Sequence, residues 1–521
     1  MRPLALETGI DMKNRTKFLR SGITLTAVGL AMRTAAMLFG AFISRTVGAE
    51  GVGLYTVIMT VYSFALTFAT SGISLTVTRL VAGAIGEGRE DELSKILRAS
   101  FVYSLFFGVA ATSFLFFGAD FIGAKILFDQ RCVYALKILS ASLTPAALLS
   151  VISGYFVGVR RVGFNAAAQV FSQIVKISLT LFLLTKLSSY GVVMSVLALC
   201  IGISLTEIIS LALILLEFLI DRRRHAKHSK EKQKTKLKEV SRSALPLAIS
   251  AYVRSVLTTV EHILIPRRLM DRGEENKEAY SHYGTLHGMA IPMVLYPMSP
   301  LSSFSGLLVP EFAQDIAAGN TKRMRRVASE AINTTLVYSA LCAVFLYFFS
   351  EELGYIVYGS YDAGRHIAML APIVPIMYLD HVTDGILKGV GEQVYSMWVN
   401  ITDSLLSVIL VYFLIPKMGI TGYALVIIIM EGYNFLLSAI KLRGRVKFSV
   451  QYFTSLFLPI LAAFVGVIFA NELFVFNGST VKGGWLAMKI GFAACVFVFT
   501  YTLCRVFVKK LNLFRRREAA K

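Results

Sequence analysis

The sequence predicts an all-α integral membrane protein of about fourteen transmembrane helices, arranged as two pseudo-symmetric six-helix halves plus two C-terminal helices. Three observations carry this. Hydrophobic residues make up 55% of the chain and charged residues only 16%, too apolar for a soluble protein of 521 residues. Apolar runs long enough to cross a bilayer recur from one end of the chain to the other. The chain also repeats itself: Gly154 and Gly158 reappear as Gly385 and Gly389, 231 positions on. The same shift carries Gly88 to Gly319, Lys186 to Lys417 and Gly191 to Gly422.

Runs of about 20 apolar residues lie near 18–43, 52–78, 99–118, 133–158, 166–185 and 191–219 in the first half. The second half holds 244–265, 284–309, 328–349, 366–387, 394–415 and 420–440, and the runs at 452–471 and 485–507 have no counterpart in the repeat. The expected domains are therefore 1–220, a basic linker 221–243, a second half 244–445, and a C-terminal pair with a basic tail 446–521. Before Gly88 a shift of 221 places Arg33 on Arg254; the difference falls in a polar insertion near 271–282, so the register changes at a loop. The first span is too long for a removed signal peptide and lacks a small-residue cleavage site, so it is expected to be retained. Met12, followed by Lys13 and Arg15, is also a plausible start, which would leave residues 1–11 without a role.

Charge placement tests the span count. With both termini inside, roughly 36 of the 53 Lys and Arg fall in cytosolic segments and about 12 in outer loops. The bias alternates loop by loop, which a wrong number of spans would scramble. A bacterial plasma membrane protein with cytoplasmic termini is expected, and the net charge of +21 is mainly an orientation signal and an attraction to anionic lipid headgroups. Nucleic acid is not an expected partner, because the basic residues are spread over many segments. In the linker, Arg222 to Arg224 and Lys227, Lys230, Lys232, Lys234, Lys236 and Lys238 form a solvated cytosolic stretch that fixes topology.

Two equivalent apolar halves are how many secondary transporters are built, with the substrate site at their interface. The chain carries no G-x-x-x-x-G-K-[ST] phosphate loop and no H-E-x-x-H, so neither an enzyme nor a cofactor is expected. Uphill movement would then draw on an ion gradient or the membrane potential. Of the five cysteines, Cys200, Cys342, Cys495 and Cys504 sit in apolar spans, without metal-ligand spacing or a disulfide framework.

Charges within spans are the candidate site. A charged side chain at mid-span costs about 2.5–3.5 kcal/mol on insertion scales, so it normally faces protein or water. Arg33 in span one and Arg254 in span seven occupy equivalent places in the repeat and could meet an anionic substrate, because a guanidinium fork binds phosphate and stays charged. Lys176 in span five is a third cation candidate, and Arg79 near the inner end of span two could read a headgroup at the entrance. Glu261 shares a face with Arg254 but lies about 10 Å along the axis, too far for a relaxed pair. Asp380, Asp384 and Lys388 recur every four residues beyond Pro372 and Pro375, which make a hinge, and Asn400 and Asp403 lie one turn apart on span eleven. Oxygens of Glu261, Asn400 and Asp403 could hold Na⁺, or one of these carboxylates, or Asp384, could cycle a proton. Glu207 and Glu431, near span ends, are read as structural. His282 and His287 open span eight, and surface or cavity-lining duty is the plainer reading for them.

At these residues the chain resembles a known family. Arg33 with Arg45, then Gly48 to Tyr55 (GAEGVGLY), is similar to the opening of the stage V sporulation protein B group. Tyr283-Gly284 leading to Pro310, Val357-Tyr358-Gly359 before Pro372, and the Gly154 to Gly158 stretch are similar too. That group belongs to the multidrug/oligosaccharidyl-lipid/polysaccharide exporter superfamily, with the MurJ-type lipid II flippases and the multidrug and toxin extruders (MATE). The resemblance implies export of a polyprenyl-pyrophosphate-linked saccharide, with membrane lipids the other contact and a monomer as the working unit. It implies a cationic cavity for the pyrophosphate, with Arg33 matching the first-span arginine, and a groove for the tail between the two extra helices. The second cationic position of that first span falls here on Phe39 or Gly40, and Arg254 has no plain counterpart. A drug/cation antiporter would want an acidic or aromatic cavity, against which Arg33 and Arg254 argue. A non-transporting scaffold would leave repeated mid-span charges unexplained.

Overall fold

The computed structural model describes residues 12–87, 92–159, 161–225, 236–474 and 483–518, and among these the chain is helical throughout, with no strands. Residues 1–11 and the linker lysines 227, 230, 232 and 234 lie outside the described residues.

The first half comprises α1 (Met12–Thr70), α2 (Ile73–Gly86), α3 (Leu93–Phe121), α4 (Cys132–Gly158), α5 (Val162–Leu187) and α6 (Val192–His225). The chain turns back within α1 at Gly48, whose φ of 75° and ψ of 174° break the helix, so spans one and two share one continuous element. The second half begins with α7 (Leu237–Asp271). Span eight, which carries Pro292, Pro297 and Pro300, is broken into α8 (Asn276–Tyr283), a π-helical turn at Gly284–Ala290, α9 (Ile291–Leu295), a 3₁₀ turn at Tyr296–Met298 and α10 (Ser299–Ala317). Then come α11 (Thr321–Phe348), α12 (Ser350–Leu353), α13 (Tyr361–Leu370), α14 (Val374–Gly389), α15 (Gln393–Met418) and α16 (Ile420–Arg445). A 3₁₀ turn at Ala371–Ile373, carrying Pro372, separates α13 from α14 at the expected hinge. The C-terminal pair is α17 (Leu458–Leu473) and α18 (Gly483–Glu518).

Eleven helical stretches among the described residues are long and apolar enough to cross a membrane, so length and apolarity alone do not return the expected fourteen. The difference has local causes. Ala31–Ile85 is one stretch that doubles back at Gly48, span eight is cut into short pieces, and α7 is not among the eleven.

The repeat is physical. Inside lipid there is no hydrophobic drive between helices, and small residues let backbones approach until dispersion holds them. A Cβ on Gly154 would lie 2.5 Å from the Ser74 carbonyl oxygen, and one on Gly158 would meet Val81 at 2.8 Å and the Thr78 carbonyl at 3.1 Å. In the second half, a Cβ on Gly385 would lie 1.9 Å from Ser305 Oγ, and one on Gly389 would meet Phe312 at 2.8 Å and the Val309 carbonyl at 3.0 Å. Ser305, Val309 and Phe312 are Ser74, Thr78 and Val81 displaced by the same 231 positions. Thus α4 seats on α2 as α14 seats on α10. Lys186 and Lys417, another repeated pair, both sit in the last turn of their helices.

A buried apolar cluster runs across both halves, joining Leu54, Ile58 and Leu136 to Tyr283, Leu286 and Val374. A second cluster, with Val77, Val81 and Phe156, includes Val240 and Ala244 of α7. The α17–α18 pair docks on α11 through a third, around Val344, Phe349, Ala463 and Phe497.

Candidate functional site

The halves meet closely at both ends. Toward the end that the charge bias assigns to the inside, a Cβ on Gly72 would lie 2.4 Å from the Ala244 carbonyl oxygen, and Lys236 pairs with Glu92 at 2.5 Å. The end assigned to the outside is as close. A Cβ on Gly53 would lie 1.9 Å from the Tyr280 carbonyl oxygen, and one on Gly284 would be 2.3 Å from the Ala49 carbonyl. At these two positions no side chain larger than glycine's fits between α1 and the start of span eight. Next to this seam, Arg45 of α1 reaches across to the second half. Its Nε donates to the Val357 carbonyl at 2.9 Å, and its Nη2 to the carbonyls of Tyr355 (3.2 Å) and Ile356. Those carbonyls end a π-helical turn at Gly354–Tyr358, where the helix dipole favours a cation, and the Tyr355 carbonyl also accepts from the Gly359 N–H at 2.9 Å. These bonds tie that end of span one to the second half.

Beneath these bonds lie the charged residues. Arg33 precedes the Gly48 kink by fifteen residues and Arg254 precedes the end of α7 by seventeen, so both lie about 22–26 Å from the outer end. Both are exposed and make no ion pair among the described residues. Arg33 lies close enough to His381 of α14, in the other half, for its charge to be felt there. Its neighbour Thr34 hydrogen-bonds the Tyr296 hydroxyl of span eight at 2.9 Å, so this face of α1 looks across the interface. Arg254 instead feels Asp403 of α15, within its own half. No contact among the described residues joins Arg33 to Arg254. Lys176 of α5 is within electrostatic reach of Glu207 of α6, which gives that glutamate a charge partner. Arg79 is exposed on α2.

The acidic residues form a chain through the second half. Glu261 accepts a 2.6 Å hydrogen bond from Ser407 and lies within reach of Asp403. Asp380 lies within reach of Asp384, Asp403 and Lys388 and is bonded by Ser438. Asp384 is held by Lys388 at 2.5 Å and by the Ser396 hydroxyl. Asn400 turns its amide nitrogen onto the Ser396 carbonyl at 2.7 Å. Glu431 of α16, read from sequence as structural, faces both Asp380 and Asp403. Asp380 Oδ1 and Asp403 Oδ1 are buried without a hydrogen-bond partner among the described residues. Buried acceptors left open in this way are places where a cation or a proton would be held. Among the described residues no three His, Cys, Asp or Glu gather closely enough to cage a metal ion, so the carboxylates are strung along the helices.

Three features escape sequence reading. His287 is sunk in the π-helical turn, stacked on Tyr283 and 4.3 Å from the His262 ring, whose Nδ1 meets the Tyr283 hydroxyl at 3.1 Å. His282 lies at the surface against Glu274, 3.0 Å away. Lys489 of α18 is only 2% exposed and pairs with Glu352 of α12 at 2.7 Å, with Trp485 and Phe349 over its ammonium. A lysine inside span fourteen was the available signal for that clamp.

Comparison with known proteins adds the family. The polysaccharide biosynthesis protein family model matches residues 18–315, and the MatE model matches residues 287–413. The chain is 24% identical over 508 residues to stage V sporulation protein B of Bacillus subtilis (strain 168), covering 96% of this chain and 97% of that one. It is 22% identical over 490 residues to lipid II flippase MurJ of the same organism, covering 87% and 88%. Among solved structures, lipid II flippase MurJ in an inward closed conformation superposes with a TM-score of 0.69 at 17% identity, over 94% of this chain and 99% of that one. These matches, the multi-pass helical fold and its doubled halves agree: the chain belongs to the polysaccharide biosynthesis protein family, within the multidrug/oligosaccharidyl-lipid/polysaccharide exporter superfamily of membrane flippases and transporters.

Proposed function

We propose that this chain is an alternating-access flippase that carries an undecaprenyl-pyrophosphate-linked saccharide from the inner to the outer leaflet of the bacterial plasma membrane. In this reading both termini are cytoplasmic and the monomer is the working unit. The observation that carries it is Arg33: a mid-membrane guanidinium with no acidic partner among the described residues, facing the opposite half beneath the closely packed outer end. A pyrophosphate head cannot shed its hydration in hydrocarbon unaided. A fixed guanidinium replaces part of that hydration while the polyprenyl tail stays in lipid. Lys176 and Arg79 extend the cationic path, and Arg254 is balanced by Asp403 and acts at the boundary between substrate and coupling ion. Glu261, Asn400, Asp403 and Asp384 serve the coupling cation, Na⁺ or H⁺, and the membrane potential adds about 2.3 kcal/mol per charge per 100 mV.

A second reading is favoured by one observation. The acidic chain of Glu261, Asp380, Asp403 and Glu431 is what an antiporter of cationic drugs would carry, and the MatE match covers part of that half. Native mass spectrometry of the gently purified protein separates the two. The panel holds an undecaprenyl-pyrophosphate saccharide, plain anionic phospholipids and a cationic drug, with Arg33→Ala and Arg254→Ala as separate variants. Selective retention of the pyrophosphate lipid, lost in Arg33→Ala, is the expected result. Equal retention of all anionic lipids in both variants and wild type would overturn the flippase reading, and drug retention lost in Asp403→Asn would put the antiporter in its place.

A further inference from the structure

Between α11, the segment 446–452 and α18 lies a cavity of about 390 Å³ that is separate from the seam between the halves. Its lining is graded. Ser329, Glu330, Ser449 and Arg505 line one end, and Val337, Leu341 and Phe497 line the other. The gradient has the same sense on both helices. Along α11, Leu341 stands about 16 Å further than Glu330 toward the outer side, and along the oppositely running α18, Phe497 stands about 12 Å further than Arg505. A polar end near the inner surface and an apolar end in the bilayer match the head and chains of a phospholipid.

We propose that this cavity is a binding site for a phospholipid with a primary-amine headgroup, of the phosphatidylethanolamine type. Arg505 stacks beside Tyr501, 6.0 Å from the ring, and pairs with no carboxylate among the described residues, so its guanidinium is available to a phosphodiester. Glu330 gives Oε1 to Arg326 at 2.8 Å, and its other oxygen has no partner among the described residues. That oxygen accepts from an ammonium, which brings three N–H donors. A choline head has no such donor, and a glycerol head has no positive charge to set against Glu330. The backbone of 446–452 is pinned to α11 independently of the lipid. Asn333 donates to the Ser449 carbonyl at 2.9 Å and accepts from the Gln451 N–H at 2.8 Å, so the headgroup end is preformed. At its outer end α18 is fastened by Lys489 to Glu352, and the cavity lies further along α18, where Phe497, Tyr501 and Arg505 line it.

The test uses the full-length protein in detergent, incubated with equal amounts of phosphatidylethanolamine, phosphatidylcholine and phosphatidylglycerol and read by native mass spectrometry. Phosphatidylethanolamine should be retained at least tenfold over the other two, and Glu330→Gln or Arg505→Gln should abolish that preference. Val337→Trp, which fills the apolar end and leaves both charges in place, should lower retention of all three lipids, and it keeps the test decisive if a charge variant misfolds. Equal retention of the three lipids, or a preference that survives all three substitutions, overturns the site. Displacement of phosphatidylethanolamine by undecaprenyl phosphate at equal concentration also overturns it, by giving the cavity to a polyprenyl chain.

Discussion

Removing the Arg45 fork should unlatch the outer end. Arg45 bridges the halves with hydrogen bonds to the Tyr355, Ile356 and Val357 carbonyls, and these are the side-chain bonds that tie the end of span one to the second half. A charged donor contributes about 1.5–3 kcal/mol to a buried hydrogen bond. Arg45 is exposed, where charged contacts fall to roughly 0.2–1 kcal/mol each. The whole fork therefore contributes about 1–2 kcal/mol, and Arg45→Ala should raise the outer-open to outer-closed ratio about 5- to 30-fold. Val52 reports this directly, because it is 5% exposed and lies in the seam, where a Cβ on Gly288 would come 2.3 Å from its methyl. With the native cysteines replaced by serine and Val52→Cys introduced, labelling by a membrane-impermeant maleimide should accelerate by that factor in Arg45→Ala. Arg45→Lys should fall between, since it keeps the charge and loses the fork. An unchanged labelling rate in an Arg45→Ala protein that still elutes as a single folded species would refute the latch.

Two further outcomes follow from packing. Lys489→Met leaves Glu352 buried without its cation, which costs about 3–5 kcal/mol; the thermal midpoint should drop sharply and recover in the Lys489→Met, Glu352→Gln double variant. No recovery would mean that the ammonium acts through Trp485 and Phe349 rather than through Glu352. Gly154→Ala should destabilise by about 1–3 kcal/mol, because the new methyl meets the Ser74 carbonyl at 2.5 Å. Gly385→Ala should cost less, because its nearest neighbour is the Ser305 hydroxyl, which can rotate away. Thermal unfolding of both variants checks the order, and a larger loss at Gly385 would contradict it.

Much of the fold was legible because its determinants are periodic. Apolar runs mark helices, prolines mark the breaks in spans eight and ten, and the glycine spacing marks where α4 and α14 seat on their neighbours. The 231-residue shift reaches beyond the glycines to Ser305, Val309 and Phe312, which the glycine pairs alone did not reveal. The span count read less cleanly from apolarity because Ala31–Ile85 runs on as one stretch through Gly48 and span eight is broken into short pieces. Residues that act through a distant partner were harder to read. Arg45 finds carbonyls more than 300 positions away, and Lys489 finds Glu352 137 positions away. Glu431 reads as structural from sequence, although it lies at the middle of its span, and α14 and α15 bring Asp380 and Asp403 against it.

The symmetry of the fold does not extend to the chemistry of the site. Arg33 and Arg254 are equivalent by sequence position and by depth, yet they face different company. The first looks across the interface toward His381, and the second is set against Asp403 within its own half. Five of the carboxylates are gathered in the second half, Glu261 on α7, Asp380 and Asp384 on α14, Asp403 on α15 and Glu431 on α16, while Glu207 on α6 of the first half is set against Lys176. Two copies of one architecture thus divide the work. One half presents a cation with no acidic partner among the described residues, suited to an anionic headgroup, and the other presents open carboxylate oxygens suited to a cation. In the alternating-access cycle proposed above, rocking the halves would change the distance between those two sets of charge. Occupancy of one set would then be coupled to occupancy of the other through geometry alone, because a ligand that favours one orientation of the halves shifts the population available to its counterpart.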